Sequence, residues 1–170
     1  KDNVIVKRNG INWHLELNEG IDLSIFIFGN FEKSILKTSK KLIGSKPIDI
    51  IDIGSNMGVH SLNFAINFKA SKVYSIEPTN FAFNKLLKNL SLNPLIKNVL
   101  TNQYFISNME IKPHEIYSSW NLKSSDPKHL KHYGIKKSAS SAKTISLDNF
   151  VLKNNINRKT LIKCDVDGHE

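Results

Sequence analysis

"IDIGSNMG", residues 51–58, joins an isoleucine-rich run to a turn beside which stand an acid, an asparagine and two glycines. The run is rich in β-branched residues without polar alternation, which is typical of a strand buried on both faces of a parallel sheet. The next segment, residues 59–70, has the apolar spacing of an amphipathic helix. Gly54 and Gly58 permit a sharp turn whose backbone can approach a ligand closely. The stretch therefore predicts a strand, a ligand-binding turn and a helix.

Alternating strand and helix signals continue beyond this unit. They predict a strand at 72–78, a helix at 79–93, a strand at 97–106, a short strand and helix at 144–156, and a buried strand at 160–170. The order β-α-β-α-β is the pattern of a doubly wound sheet with right-handed crossovers. We expect Asp148 to cap the helix of the 144–156 segment.

The N-terminal part has a different pattern. Two alternating stretches flank Asn9-Gly10, a dipeptide that suits a type I′ hairpin turn. Helical spacing follows and ends at Gly44, before Pro47 leads into the first buried strand. We therefore expect residues 1–46 to form an N-terminal hairpin and helix, and residues 47–170 to form the ligand-binding domain.

Composition limits the functional classes. The 170 residues can bury one sizeable core, and the formal charge of +9 suits a polyanion such as nucleic acid, an anionic lipid surface or an acidic glycan. Because the lysines are scattered along the chain, we favour a solvated basic surface over nucleic-acid binding.

No apolar stretch approaches the roughly 20 residues of a membrane span. Cys164 is the single cysteine, which we place in the core, and we predict a reducing, cytoplasmic location.

The two ends of the sequence also suggest a prediction. The chain opens on Lys1 rather than Met, and Glu170 comes directly after a strand-like run. We therefore expect a fragment whose C-terminal part is missing.

The acid that follows the second predicted strand indicates the kind of cofactor. Glu77 lies at the strand end, where open α/β sheets bind ligands, and a carboxylate there can accept both hydroxyls of a ribose. A pyrophosphate cofactor needs three glycines in the first turn, but Asn56 occupies the middle position and Asp52 would repel phosphate. S-adenosylmethionine carries a ribose, an amino group and a sulfonium but no phosphate, so it matches better than NAD.

Four segments together resemble the FkbM family of S-adenosylmethionine-dependent methyltransferases. They are "IDIGSNMGVHSLNFA", "VYSIEPTNFAFNKLLKNLSLN", "TISLDNF" and "LIKCDVDGHE", in that order. The resemblance implies a mostly parallel Rossmann-like methyltransferase sheet and a set of cofactor-binding residues. These are Asp52, Gly54, Ser55, Asn56 and Gly58 in the cofactor loop, Glu77 at the ribose, Phe105 and Ile106 beside the adenine, and Glu32 and Asp165 within reach.

The resemblance also implies a reaction, which is methyl transfer to a hydroxyl of a sugar, a glycolipid or a secondary metabolite. The protein must mainly align the acceptor oxygen and help to remove its proton. Asp165, at the end of the fourth strand, and His169, which can take a proton near neutral pH, are the candidate catalytic residues. Asp165 and the nearby Asp167 and Glu170 resemble a metal site, but we interpret them as a cap and one functional acid, and predict no metal.

Two alternatives remain at this point. An RNA methyltransferase would use the same cofactor together with the +9 charge, and a non-catalytic cofactor-binding module would retain only the fold. We favour a small-molecule or glycan acceptor, and the oligomeric state is open.

Overall fold

A parallel four-stranded sheet forms the centre of the computed structural model, which describes residues 3–44, 46–110, 115–118 and 135–166. The strands are β1 Asn3–Arg8, β2 Ile11–Glu16, β3 Asp49–Ile53, β4 Val73–Ile76, β5 Val99–Asn102, β6 Tyr104–Ile106, β7 Glu115–Ser118, β8 Ile135–Ser138, β9 Lys143–Ile145 and β10 Thr160–Cys164. The helices are α1 Gly20–Phe28, α2 Lys33–Ile43, α3 Val59–Asn67, α4 Asn80–Ser91 and α5 Leu147–Lys153.

The central sheet has the strand order β10-β3-β4-β5, and every pair in it is parallel. Apolar side chains of α2 and α3 cover one face of the sheet, and α5 covers the other. Every residue of β3 and β4 is buried. The predicted doubly wound α/β sheet is therefore confirmed, and β3 and β4 are its two inner strands.

The predicted N-terminal hairpin is also present. Asn9 and Gly10 have φ angles of 50° and 82°, as a type I′ turn requires. The inward face of β2, with Trp13 at its centre, packs against Met57 in the loop after β3 and against Leu86 of α4. The hairpin thus shares one apolar core with the loop and helices that follow β3, while the boundary near residue 46 stays a prediction.

Two asparagine side chains, one in α4 and one just beyond its C-terminal end, bind the free edge of β2. Asn89 Oδ1 accepts from the backbone N–H of His14 at 2.8 Å, and its Nδ2 donates to Met57 O at 3.0 Å. Just beyond the end of α4, Asn93 accepts from Asn12 N at 2.9 Å and donates to Asn12 O at 2.8 Å. Because Asn12 and His14 are two residues apart on the strand, the two asparagines take the place of a neighbouring strand at this edge.

A buried ion pair joins α1 to α4. Lys85 Nζ lies 2.6 Å from Asp22 Oδ2, and both side chains are almost fully buried. Asp22 Oδ2 also accepts from Glu16 N at 2.6 Å. Burial raises the pKa of the Asp22 carboxyl, although Lys85 opposes that shift.

Several local expectations need correction. Helix α1 has no counterpart in the sequence-based prediction, and the predicted strand at 97–106 breaks at Gln103 into β5 and β6, of which β6 pairs with β9. The α5 cap is Ser146, whose Oγ accepts from Asn149 N at 3.2 Å, whereas Asp148 lies in the first turn. Ser146 takes this place because it has the extended backbone of a cap residue.

The predicted burial of β10 and of Cys164 is wrong. Lys163 is the buried residue of this strand, whereas Cys164 and Ile162 are exposed. Side chains alternate along a strand, so Ile162 and Cys164 share the face opposite to Lys163. Among the described residues, β10 pairs on one side only, with β3.

Strands β7 and β8, which precede and follow residues 119–134, pair antiparallel with each other. Within the described part of the chain, no helix has both the length and the apolar character needed to cross a membrane.

The ends of β3 and β10 approach so closely that only glycine fits at the start of the loop. A Cβ on Gly54 would lie 1.9 Å from the backbone oxygen of Asp165, and the φ of Gly54 is 74°. Gly10 also has a positive φ, of 82°, but a Cβ there would meet nothing within 4 Å. An alanine at Gly10 therefore adds backbone strain only, whereas an alanine at Gly54 adds the same strain and a steric clash.

We expect Gly54→Ala to lower the free energy of unfolding far more than Gly10→Ala. The Gly10 variant should lose about 1 kcal/mol, the cost of a left-handed alanine, and Gly54→Ala several kcal/mol because strands must also move apart. Urea denaturation of both variants measures the difference. Equal losses would show that the close approach to Asp165 has no energetic weight.

We expect Asn89→Ala to destabilise the protein by about 3 kcal/mol, since it leaves a β2 amide and the Met57 carbonyl without their partner. The matched control is Asn67→Ala, which removes an exposed side-chain hydrogen bond to Asn63 O and should cost little. Thermal unfolding compares the two. A small effect at Asn89 would mean that water replaces its contacts.

Candidate cofactor site

The loop between β3 and α3 lies at the carboxyl ends of the parallel strands, where open α/β sheets bind ligands in a crevice. Gly54, Asn56 and Gly58 have φ angles of 74°, 49° and 93°. A Cβ on Gly58 would lie 2.5 Å from Leu86 Cδ1 and 2.8 Å from Leu62 Cδ1. Glycine at this position lets α3 begin directly against α4.

Backbone hydrogen bonds attach this loop to the neighbouring strand. The amides of Gly54 and Ser55 both donate to Ile76 O at 3.0 Å, and Gly58 N donates to Ser55 O at 2.9 Å. Asn56 Oδ1 accepts from Met57 N at 2.7 Å, which supports its left-handed backbone. The loop is thus held by its own amides and by β4.

Glu77 extends this attachment beyond the end of β4. Its Oε2 accepts from Asn56 N at 2.9 Å, and its Oε1 accepts from the amide and the hydroxyl of Thr79, at 2.9 and 2.6 Å. The side chain is buried, and burial raises the pKa of the Glu77 carboxyl, although hydrogen bonds from Thr79 and Asn56 oppose the shift. Glu77 therefore closes the loop against the start of α4.

The residues present also fit a ribose-bearing cofactor. Each carboxylate oxygen can accept about two hydrogen bonds, so Glu77 Oε2, which accepts one from the described residues, can accept another. The Ser55 hydroxyl is buried in the same loop, and no hydrogen-bond partner for it exists among the described residues. Both groups offer polar atoms that a ligand in the crevice can satisfy.

Asp52 lies beneath the loop and is completely buried. Its Oδ2 accepts from the Ser61 hydroxyl at 2.6 Å, and its Oδ1 lies 3.2 Å from Lys163 Nζ. Ser61 is also hydrogen-bonded to the Ser75 hydroxyl of β4, at 2.8 Å. The cation that pairs with Asp52 in this structure is therefore a lysine of the chain, and direct contact of Asp52 with a cofactor stays a prediction.

Lys163 connects three parts of the site. Besides Asp52, its Nζ lies 3.4 Å from Asp165 Oδ2 and donates to Gly54 O at 3.3 Å. Burial by itself lowers the pKa of the Lys163 ammonium, but the carboxylates of Asp52 and Asp165 outweigh it and raise that pKa. The lysine thus stays charged and joins the end of β10 to the cofactor loop.

A hydrogen bond between Glu32 and His60 brings the N-terminal part to the crevice. Glu32, whose φ is 46°, places Oε2 3.3 Å from Nε2 of the buried His60 in the first turn of α3. Burial lowers the pKa of His60, as does Lys163, whereas Asp52 and Glu32 raise it. A neutral His60 donates from Nε2 to the Glu32 carboxylate, which only accepts.

Of the remaining candidate residues, some are described by the structure and some are not. Phe105 and Ile106 are half-buried in β6, and the Asp165 side chain is half-exposed at the end of β10. Asp167, His169 and Glu170 lie outside the described residues. The structure brings the loop, Glu77, Asp165 and Glu32 together at the carboxyl ends of the strands. Their roles toward a cofactor stay predictions.

Sequence reasoning missed Lys163 and His60. A signal existed for Lys163, because a lysine inside an apolar strand must find a carboxylate when it is buried. For His60 the periodicity of α3 offers no such signal, since the contact with Glu32 crosses from one element to another.

Solved structures with a similar fold are distant. TYW2 of M. jannaschii in complex with AdoMet has 21% identity and a TM-score of 0.46, over 66% of this chain and 48% of that one. TYW2 of P. horikoshii in complex with MeSAdo has 19% identity and a TM-score of 0.40, over 59% and 35%. aTrm5 in complex with tRNALeu has 18% identity and a TM-score of 0.43, over 76% and 34%. The chain spans less than half the length of each, and no curated protein matches it significantly in sequence.

Residues 52–170 match the Methyltransferase FkbM domain, a region that begins at the buried Asp52 and includes every strand of the central sheet except most of β3. The match confirms the resemblance inferred from the four motifs, and with it S-adenosylmethionine as the cofactor of the family. Because it covers more than two-thirds of the chain, the chain belongs to the FkbM methyltransferase domain family.

Proposed function

We propose that this chain binds S-adenosylmethionine in the crevice above β3 and β4 and belongs to an enzyme that methylates a hydroxyl group. The acceptor class that we propose is a sugar, a glycolipid or a secondary metabolite. The observation that carries the proposal is the juxtaposition of the glycine loop and Glu77 with the half-exposed carboxylate of Asp165 at the adjoining strand end.

The cofactor half of the proposal rests on the loop. The amide hydrogen bonds to Ile76 O fix its backbone before any ligand arrives, so little further ordering is needed on binding. Glu77 would accept from the ribose hydroxyls, and Ser55 Oγ offers a further polar contact. Phe105 and Ile106 of β6 would flank the base. S-adenosylmethionine, when bound, supplies a methyl group already activated by its positive sulfur.

The transfer half rests on Asp165 and its neighbour Lys163. A carboxylate beside the reacting centre can orient the acceptor hydroxyl and take up its proton as the new C–O bond forms. Lys163 holds the Asp165 carboxylate at 3.4 Å from its Nζ, which limits the orientations of that side chain. His169 is a second proton acceptor in this proposal.

Glu77→Ala should weaken S-adenosylmethionine binding by about 10- to 100-fold, since charged hydrogen bonds contribute about 1.5–3 kcal/mol. Isothermal titration of the purified chain measures the affinity. The matched control is Thr79→Val, which removes a hydroxyl donor to Glu77 but keeps the carboxylate. If Thr79→Val weakens binding as much as Glu77→Ala does, Glu77 acts by supporting the loop and not by contacting the ribose.

Asp165→Asn should lower methyl transfer, measured at saturating cofactor, by about 100-fold, because the amide cannot take up a proton. The assay follows labelled methyl groups into extracted glycolipids, hydroxylated small molecules and total RNA. Asp148→Asn, which alters an exposed acid in the first turn of α5, is the control.

If the labelled methyl group enters RNA alone, the acceptor is RNA and not a glycolipid or a hydroxylated small molecule. Tight cofactor binding without transfer to any of the three would favour a non-catalytic module, and a failure to bind the cofactor at all would remove the enzymatic proposal.

A further inference from the structure

The amino ends of the four parallel strands meet at the edge of the sheet opposite the crevice. The segments that lead into these strands, residues 44–48, 68–72, 92–98 and 154–159, contain six basic residues and no acidic one. We call these six exposed residues the basic edge: Lys46, Lys69, Lys72, Lys97, Arg158 and Lys159. They are scattered in the sequence and are brought together by the topology of the sheet.

The side chains of the basic edge are exposed to solvent. Within the described ranges, no ion pair engages any of its six residues. The last turn of α2, which precedes β3, adds the exposed Lys40 and Lys41. Concentrated charge of one sign raises the local potential for an external anion.

Two exposed leucines accompany these charges. Leu42 is 62% exposed beside Lys41, and Leu95 is 93% exposed two residues before Lys97. Leu95 lines a groove of about 820 Å³ together with Leu92, Ile96 and the lysines Lys7, Lys69 and Lys97.

The polar side chains of the groove are already engaged. Asn93 donates to Asn12 O and Asn89 O, and Asn98 donates to Ser71 O and Ala65 O. The groove therefore offers apolar surface and ammonium groups to a ligand.

We propose that the basic edge, with Leu42 and Leu95, docks this protein onto an anionic lipid bilayer. Lysines near such a surface each contribute about five-fold to binding, and apolar side chains inserted at the interface add to it. Single-stranded nucleic acid is a poorer fit, because its binding sites present aromatic rings for stacking. Phe68, the aromatic residue of the four segments, packs in the core.

Docking at this edge leaves the crevice accessible. A five-residue strand such as β3 is about 17 Å long, so this distance separates the basic edge at the amino ends of the strands from the crevice at their carboxyl ends. The carboxylates of Asp52, Glu77 and Asp165 lie at the far edge, away from an anionic surface. The proposal does not depend on the proposed function, since neither cofactor nor acceptor takes part in it.

Sedimentation with vesicles tests the proposal. The chain should bind vesicles of phosphatidylcholine and phosphatidylglycerol in equal parts, and not vesicles of phosphatidylcholine alone. Lys69→Gln with Lys97→Gln should lower binding by about 30-fold, since two lysines are neutralised. Leu95→Ser should weaken vesicle binding as well, while its 93% exposure leaves the fold unaffected, as thermal unfolding will check.

The matched control is Lys33→Gln with Lys143→Gln, which removes the same charge from the start of α2 and from β9. Unchanged vesicle binding by this control supports a localised docking surface. Equal weakening by both double variants, or no binding of the wild-type chain to anionic vesicles, overturns the proposal. So does a result in which transfer RNA binds and Leu95→Ser leaves vesicle binding unchanged, because the edge would then be a general polyanion site.

Discussion

The buried ion pair between Lys163 and Asp52 holds the crevice together. Removing charges from water costs several kcal/mol for each ion, so a lone charge at either position would be strongly destabilising. The two residues are direct neighbours in the β10–β3 register. A slip of one residue would place Ile162 or Cys164 opposite Asp52 and leave the carboxylate unpaired. The pair therefore helps to specify how the fourth strand joins the sheet.

The same lysine links strand pairing to the chemistry of the site. Its contacts with Gly54 O and Asp165 Oδ2 bring the cofactor loop and the half-exposed acid to one ammonium group. On the other side of the loop, Glu77 accepts from Asn56 N and joins it to β4. The loop is thus positioned from both neighbouring strands, which is the pre-organisation that close alignment of reactants requires.

Charge is distributed unequally between the two edges of the sheet. The carboxylates of Asp52, Glu77 and Asp165 lie at the carboxyl ends of the strands, whereas the exposed basic edge lies at their amino ends, where the acid Asp49 of β3 is buried. A parallel sheet makes this separation possible, because all loops of one kind lie on one side. The net charge of +9 is accordingly not uniform over the surface, although the spacing of lysines along the chain suggests that it is.

Periodicity located α4 correctly but misjudged part of its buried face. Apolar spacing over residues 79–93 predicts that Phe83, Leu86, Leu87 and Leu90 face inward. Leu86 is buried, whereas Leu87 is 42% exposed. Lys85 and Asn89 are buried instead, because they satisfy Asp22 on α1 and the open edge of β2. Apolar spacing predicts which residues are buried against apolar partners. It does not predict polar side chains that are buried because they pair with polar groups of another helix or strand.

The sequence by itself determined the parallel α/β sheet, the hairpin, the glycine loop and the family, because these depend on local patterns and on four motifs in order. Only the tertiary structure decided what those residues touch. It paired Asp52 with Lys163, turned Cys164 outward, brought His60 to Glu32 and gathered six distant basic residues at one edge. Each of these is a relation between elements far apart in the chain, and packing alone brings such elements together.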